Sequence, residues 1–202
     1  MRKKPQQKRS KQLVASLIDA TAACIVEHGL DGATTPRIAE KAGVSVGSLY
    51  QYFDDKEALI EALMEKMAQD IGNALNQLPW DKSPSLRDTV RSTIQFGFAL
   101  LNSSDGLYLE LVRNWHRLPT EIVMNTLQQH FMDISRVYFL KNYHMHQIED
   151  LHVRIFIIAN STMFTMVRFI AQESALLSQE EITDGLVNMV VGYLELDSNT
   201  EN

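Results

Sequence analysis

Apolar residues recur at intervals of three and four along almost the whole chain and hardly anywhere alternate with polar ones. That is the helical period, and it predicts an all-α fold. From Ser10 to about His28, Val14, Leu17, Ile18, Thr21 and Ile25 form one stripe, and Gly29 ends the helix. Leu30-Asp31-Gly32-Ala33 is a short connection, with Leu30 expected to pack beneath the pair of short helices after it. From Asp55, a capping residue, a long stripe runs through Ile60, Leu63, Met64, Met67, Ile71, Ala74, Leu75 and Leu78. A helix of that length, about 23 residues at 1.5 Å each, spans on the order of 35 Å. Pro79 and Pro84 mark the next break. Further helices are predicted from Leu86 to about Leu101, over Leu107–Arg117, from Pro119 to around Lys141, and over 149–176 and 179–196. Tyr143–Gln147 reads as a polar loop ahead of the last two.

Between the first and the long helix lies a denser pattern. Thr35 offers a capping hydroxyl, Pro36 suits a first helical position, and Ile38, Ala39 and Ala42 share a face. Gly43 stops that helix. Ser45 can cap the next, which carries Leu49 and Phe53 inward and leaves Ser48, Tyr50, Gln51 and Tyr52 outside. Two short helices joined by a tight glycine-containing turn form a helix-turn-helix, and the second is of a size that enters a DNA major groove.

The residues Thr34-Thr35, Ile38-Ala39, Ala42-Gly43-Val44-Ser45, Gly47, Leu49-Tyr50, Tyr52-Phe53 and Lys56-Glu57 closely resemble the N-terminal signature of the TetR family of bacterial transcriptional regulators. The resemblance covers roughly the first sixty residues. It implies an N-terminal helix-turn-helix domain, residues 1–56 with its arm, followed by a helical ligand-binding and dimerisation domain, 57–202. By the same resemblance Thr35, Tyr50, Tyr52 and Lys56 contact backbone phosphates. Ser45, Val46, Gly47 and Gln51 are candidates for base edges, since Gln pairs with adenine and Val46 can meet a thymine methyl. Thr34 and Ser48 complete the candidate DNA surface. Arg37 is either a phosphate clamp or a member of a surface ion pair. The family often has a basic residue where Val46 stands, which leaves the operator sequence open.

Net charge changes this picture less than it first suggests. The chain carries -6 overall, the wrong sign for a DNA binder. Residues 1–56, however, hold nine Lys/Arg against six Asp/Glu, net +3, and the rest ten against nineteen, net -9. A basic head on an acidic body approaches phosphate with one end. The polar, basic residues 1–9 are either an arm that orders on DNA or a solubilising tail.

The single cysteine, Cys24, excludes an internal disulfide framework and reads as a small packing residue. Asp19 interrupts the first apolar stripe, and Arg154, Asn160 and Arg168 break the apolar run 151–171, so no signal peptide and no membrane partner is expected. The expected location is the cytoplasm.

The last two predicted helices are apolar on more than one face and need a second partner. The expected partner is another copy, with Ile155, Ala159, Thr162 and Met166 of one helix and Ile182, Leu186, Met189 and Tyr193 of the other forming a four-helix interface. The resemblance implies a small-molecule effector among the C-terminal helices, with Phe96, Tyr108, Leu111, Trp115, Phe131, Asn160, Met163, Phe164 and Val167 as candidate lining. Arg154 and Arg168 can each meet an anionic ligand or an acidic residue across a dimer. His144, His146 and His152 are too loosely spaced for a metal site, so neither a metal nor a cofactor is expected. No nucleophile, carboxylate pair or phosphate-cradling loop points to an enzyme. The expected function is a homodimeric repressor of a palindromic double-stranded DNA operator, released by a small-molecule ligand. The alternative is a helical small-molecule- or protein-binding dimer with an activator or architectural role.

Overall fold

The computed structural model describes residues 8–77, 85–103, 106–142, 150–172 and 176–195, with the side chains of 103, 134–142, 172 and 195 excepted. All regular structure among these residues is helical, as the apolar period requires: α1 (Lys8–Gly32), α2 (Thr35–Lys41), α3 (Val46–Leu49), α4 (Lys56–Asn76), α5 (Leu86–Ser103), α6 (Leu107–Arg113), α7 (Thr120–Asn142), α8 (Leu151–Gln172) and α9 (Gln179–Glu195). A single 3₁₀ turn, Trp115–Arg117, follows α6, so the one helix expected over 107–117 is two pieces. Lys8 and Arg9, expected in the arm, are the first residues of α1.

The chain forms two compact units, one of residues 1–69 and 103–123, the other of 70–102 and 124–202. The three boundaries fall inside helices, at 69/70 in α4, 102/103 in α5 and 123/124 in α7, so the units do not follow the 56/57 division drawn from sequence.

In the first unit, the break at Gly29 is real and local: its φ of 71° is left-handed, inside what is otherwise one helix. The break deprives Leu30 of helical partners on both sides of its peptide. Glu110 of α6 accepts from the Leu30 N–H at 3.2 Å, and the Lys56 ammonium donates to the Leu30 carbonyl at 3.3 Å. Leu30 is buried, as its position beneath the turn suggested. Arg117 pairs with Asp31 at 2.5 Å, holding the Asp31 carboxyl below its ordinary range and raising the guanidinium above its own. Lys66 of α4 reaches Asp19 of α1 at 2.7 Å. Thus α6 packs against α1 and belongs to the same compact unit.

In the second unit, α5, α8 and α9 share a core of Leu86, Ile94, Phe98, Met166, Leu186, Val187, Val190, Val191 and Leu194. Phe98 is fully buried and meets Phe169 edge to face, centroids 5.9 Å apart. Helix starts are capped as the sequence permits: Ser85 with Asp88 for α5, and Ser178 with Glu181 in a reciprocal capping box for α9. The Ser178 N–H and hydroxyl hold the Glu181 carboxyl below its usual range. Gly97 lets Met166 come against α5; a Cβ there would lie 2.7 Å from the methionine methyl.

Candidate nucleic-acid interface

The helix-turn-helix is built by short-range devices. Gly43, φ 70°, closes α2 with two bonds, Val44 N–H to the Ala39 carbonyl at 2.9 Å and Gly43 N–H to the Glu40 carbonyl at 3.0 Å, the Schellman pair. Two residues on, Ser45 Oγ accepts from the Ser48 N–H at 3.1 Å and starts α3. Ile38, Ala39, Leu49 and Phe53 are completely buried between these helices and their neighbours. Asp55 Oδ1 accepts from the Ala58 N–H at 2.7 Å and starts α4.

The far side of this core is open. Ser45, Gly47, Tyr50 and Gln51 are exposed, and Val46 and Ser48 half-buried. Gly47 is instructive because nothing within the chain requires a glycine: a Cβ placed there would meet only Ser45 Oγ, at an ordinary 3.8 Å. Its backbone is helical and its φ is not positive. What the missing side chain leaves free is approach from outside.

Beside this tip, Tyr50 Oη and Thr35 Oγ1 lie 3.1 Å apart and share a hydrogen bond. Two hydroxyls on different helices are thereby held together at the surface; one donates to the other, and the acceptor's own proton remains available to a phosphate oxygen. Thr35 does not cap α2; the cap position is Thr34, whose side chain makes no capping bond, and Pro36 is the second residue of the helix. Arg37 donates to the Gly32 carbonyl at 2.9 Å, so it is tied to the turn before α2 and not to a carboxylate. The expectation that Tyr52 is left outside is corrected: it is only 8% exposed and belongs mainly to the packing of the head. Lys56 is half-buried, its ammonium at the Leu30 carbonyl. Lys41 pairs with Glu27, whose carboxyl it holds below its ordinary range. Cys24 is buried in α1, and burial raises its thiol.

The other expected sites distribute differently. Of the candidate effector lining, Tyr108, Leu111 and Trp115 belong to the first unit, and Phe96, Phe131, Asn160, Met163, Phe164 and Val167 to the second. Phe164 is 59% exposed and lines no interior of its own unit. The Asn160 amide is engaged with its own helix, donating to the Phe156 carbonyl at 2.7 Å. Of the candidate dimer residues, Ile155, Met166 and Leu186 are buried within the unit, so they are not free to meet a second copy. Ala159, Thr162, Ile182 and Tyr193 are half-buried and Met189 is exposed. The large apolar residues that α8 leaves exposed are Val153, Phe156, Ile157 and Phe164, of which the sequence reading names only Phe164, as effector lining. Arg154 donates to the Tyr193 carbonyl at 2.5 Å and lies 5.3 Å from the centre of that ring. His144 and His146 lie outside the described residues; His152 is exposed. Two helices, Lys8–Gly32 and Leu151–Ala171, pass by length and composition as membrane spans. The first is broken at Gly29, and the second carries Arg154 and Arg168.

A glycine-ended helix, a serine-capped second helix with a bare open tip, and hydroxyls at its flank define a helix-turn-helix head of the kind that meets duplex DNA. Residues 17–63 match the profile of bacterial regulatory proteins, tetR family. The match covers this head, and there the chain is similar to that family. It is 36% identical over 114 residues, 56% of its length, to the HTH-type transcriptional regulator BetI of Burkholderia ambifaria, of which it spans 59%. Among solved structures it resembles FadR of Bacillus subtilis in complex with stearoyl-CoA (TM-score 0.61, 15% identity, 89% of this chain and 98% of that one). It also resembles RolR in complex with resorcinol (TM-score 0.66, 18% identity, 98% of each chain). The last two likenesses show the fold alone.

Proposed function

We propose that the protein is a homodimeric transcriptional repressor in the cytoplasm that occupies a palindromic DNA operator and leaves it when a small molecule enters the helical body. The observation that carries this is Gly47: an exposed glycine at the tip of α3 that the fold does not need and a close-approaching duplex does. Ser45, Val46 and Gln51 would read base edges around it, while Thr34, Thr35, Ser48, Tyr50 and Lys56 hold phosphates. Arg37, fixed to the Gly32 carbonyl, supplies charge beside them.

One head makes few contacts, and two addressing half-sites a helical turn or more apart supply specificity. The apolar stripe Val153, Phe156, Ile157 and Phe164 of α8, with Met189 of α9, is the surface that would join two copies. Regulation by a ligand is consistent with structural neighbours solved with stearoyl-CoA and with resorcinol. The test is a gel shift with DNA from upstream of the protein's own gene, alongside sedimentation. A retarded complex of two protomers is expected; a monomer that leaves all duplexes unshifted at low salt overturns the reading. Phe164→Asp should yield monomers with weakened DNA binding.

A further inference from the structure

Four buried or half-buried threonines in these helices share one habit. Thr21, Thr89, Thr93 and Thr183 each donate their hydroxyl to the carbonyl four residues back, at 2.8 to 3.0 Å. Thr162, midway along α8, makes no such bond. Its Oγ1 is buried yet has no hydrogen-bond partner, alone among side-chain polar atoms of the described residues. A buried hydroxyl left unpaired is destabilising, and such groups call for an explanation.

The surroundings narrow that explanation. One turn further along α8 is Met166, whose methyl fills the notch left by Gly97 on α5. Methionine is unbranched and adaptable, the kind of side chain that can move aside for a small guest. No charged side chain is buried among the described residues of this unit; its buried polar residues are Thr89 and Thr183, both already bonded. A charged ligand group would find no counter-charge in that interior.

We propose that Thr162 is the polar anchor of the effector site, bonding the single hydroxyl or carbonyl oxygen of a neutral, otherwise apolar small molecule that takes the place of the Met166 side chain against Gly97. This rests on the ligand-responsive function proposed for the chain and names the ligand's chemical class. The hydroxyl donates to a carbonyl, or exchanges donor and acceptor with an alcohol or phenol.

Binding is measured on the full chain by calorimetry without DNA, using the matched probes p-cresol and p-xylene, which differ by hydroxyl against methyl. Thr162→Val should shift the ratio of their affinities towards p-xylene by about 3- to 10-fold, the loss of one hydrogen bond, while Thr162→Ser should retain the wild-type ratio. Without ligand, Thr162→Val should melt about 2 °C or more higher, because an unpaired hydroxyl has been replaced by a methyl. The proposal is overturned if the ratio does not move, if the wild type binds neither probe at millimolar concentration, or if Thr162→Val melts lower. A protein that ignored DNA would remove the regulator reading, and the probe ratios would still decide the role of Thr162.

Discussion

Adding one methyl group at position 47 separates what the fold needs from what a duplex would need. The Cβ of Gly47→Ala would sit 3.8 Å from its nearest neighbour, Ser45 Oγ, with no contact to relieve. Position 47 is helical, so alanine gains up to about 1 kcal/mol of helix propensity over glycine. The melting temperature should therefore stay level or rise by up to about 3 °C. At a closely packed protein–DNA surface the same methyl overfills the gap, at about 1–3 kcal/mol by analogy with packed interiors. Two heads double it, so a palindromic operator should be bound at least about 30-fold more weakly. Gly47→Leu should abolish binding with the melt still cooperative. Fluorescence anisotropy on labelled promoter DNA, paired with melting curves, reads both effects. Affinity within twofold of wild type for both variants, with normal melts, would show that this tip does not approach DNA and would remove the observation on which the proposed function stands.

Tyr50→Phe deletes an exposed hydroxyl bonded only to another hydroxyl, so it should leave stability within about 0.5 kcal/mol. It should weaken DNA binding by about 1 kcal/mol per head, without changing the salt slope because no charge is lost; anisotropy titrations over a salt series check this. Phe98→Ala empties the centre of the second unit and should cost about 3–5 kcal/mol in denaturant melts. The Asp31 carboxyl is depressed by Arg117, so its contribution is present above the unfolded-state value near 3.8 and is lost as pH falls through the lower folded value. Stability of Asp31→Asn should accordingly converge on wild type only at the acid end of a pH series. Cys24, buried and with its thiol raised, should react with a thiol reagent only on unfolding, read as a rate that rises with denaturant.

What could be read from the residues in order was whatever is decided within a few positions. Gly43, Ser45 and Asp55 act on their own helix ends, and each does what its neighbours in sequence imply. The break at Gly29 was legible for the same reason. Its consequences were not, because Glu110, 80 residues away, supplies the bond that Leu30 loses. Arg37 could not be assigned, since its partner is a backbone carbonyl freed by that same irregular turn. Tyr52 was placed outside because a helix this short carries little periodic information. The two faces of α8 could not be told apart for a different reason. Both the Ile155–Met166 face and the Val153–Phe164 face of α8 are apolar, so period alone does not choose which one the chain covers itself. Packing against α5 and α9 takes the first and leaves the second exposed.

The central claim is that a small-residue helix tip beginning at Ser45 is presented twice to the grooves of one duplex. Hydroxyl-radical footprinting on promoter DNA at low salt tests it most directly. Two protected patches related by a dyad, a helical turn or more apart, are expected, both vanishing in Gly47→Leu. Uniform cleavage along the whole fragment, or protection that survives Gly47→Leu, would contradict it.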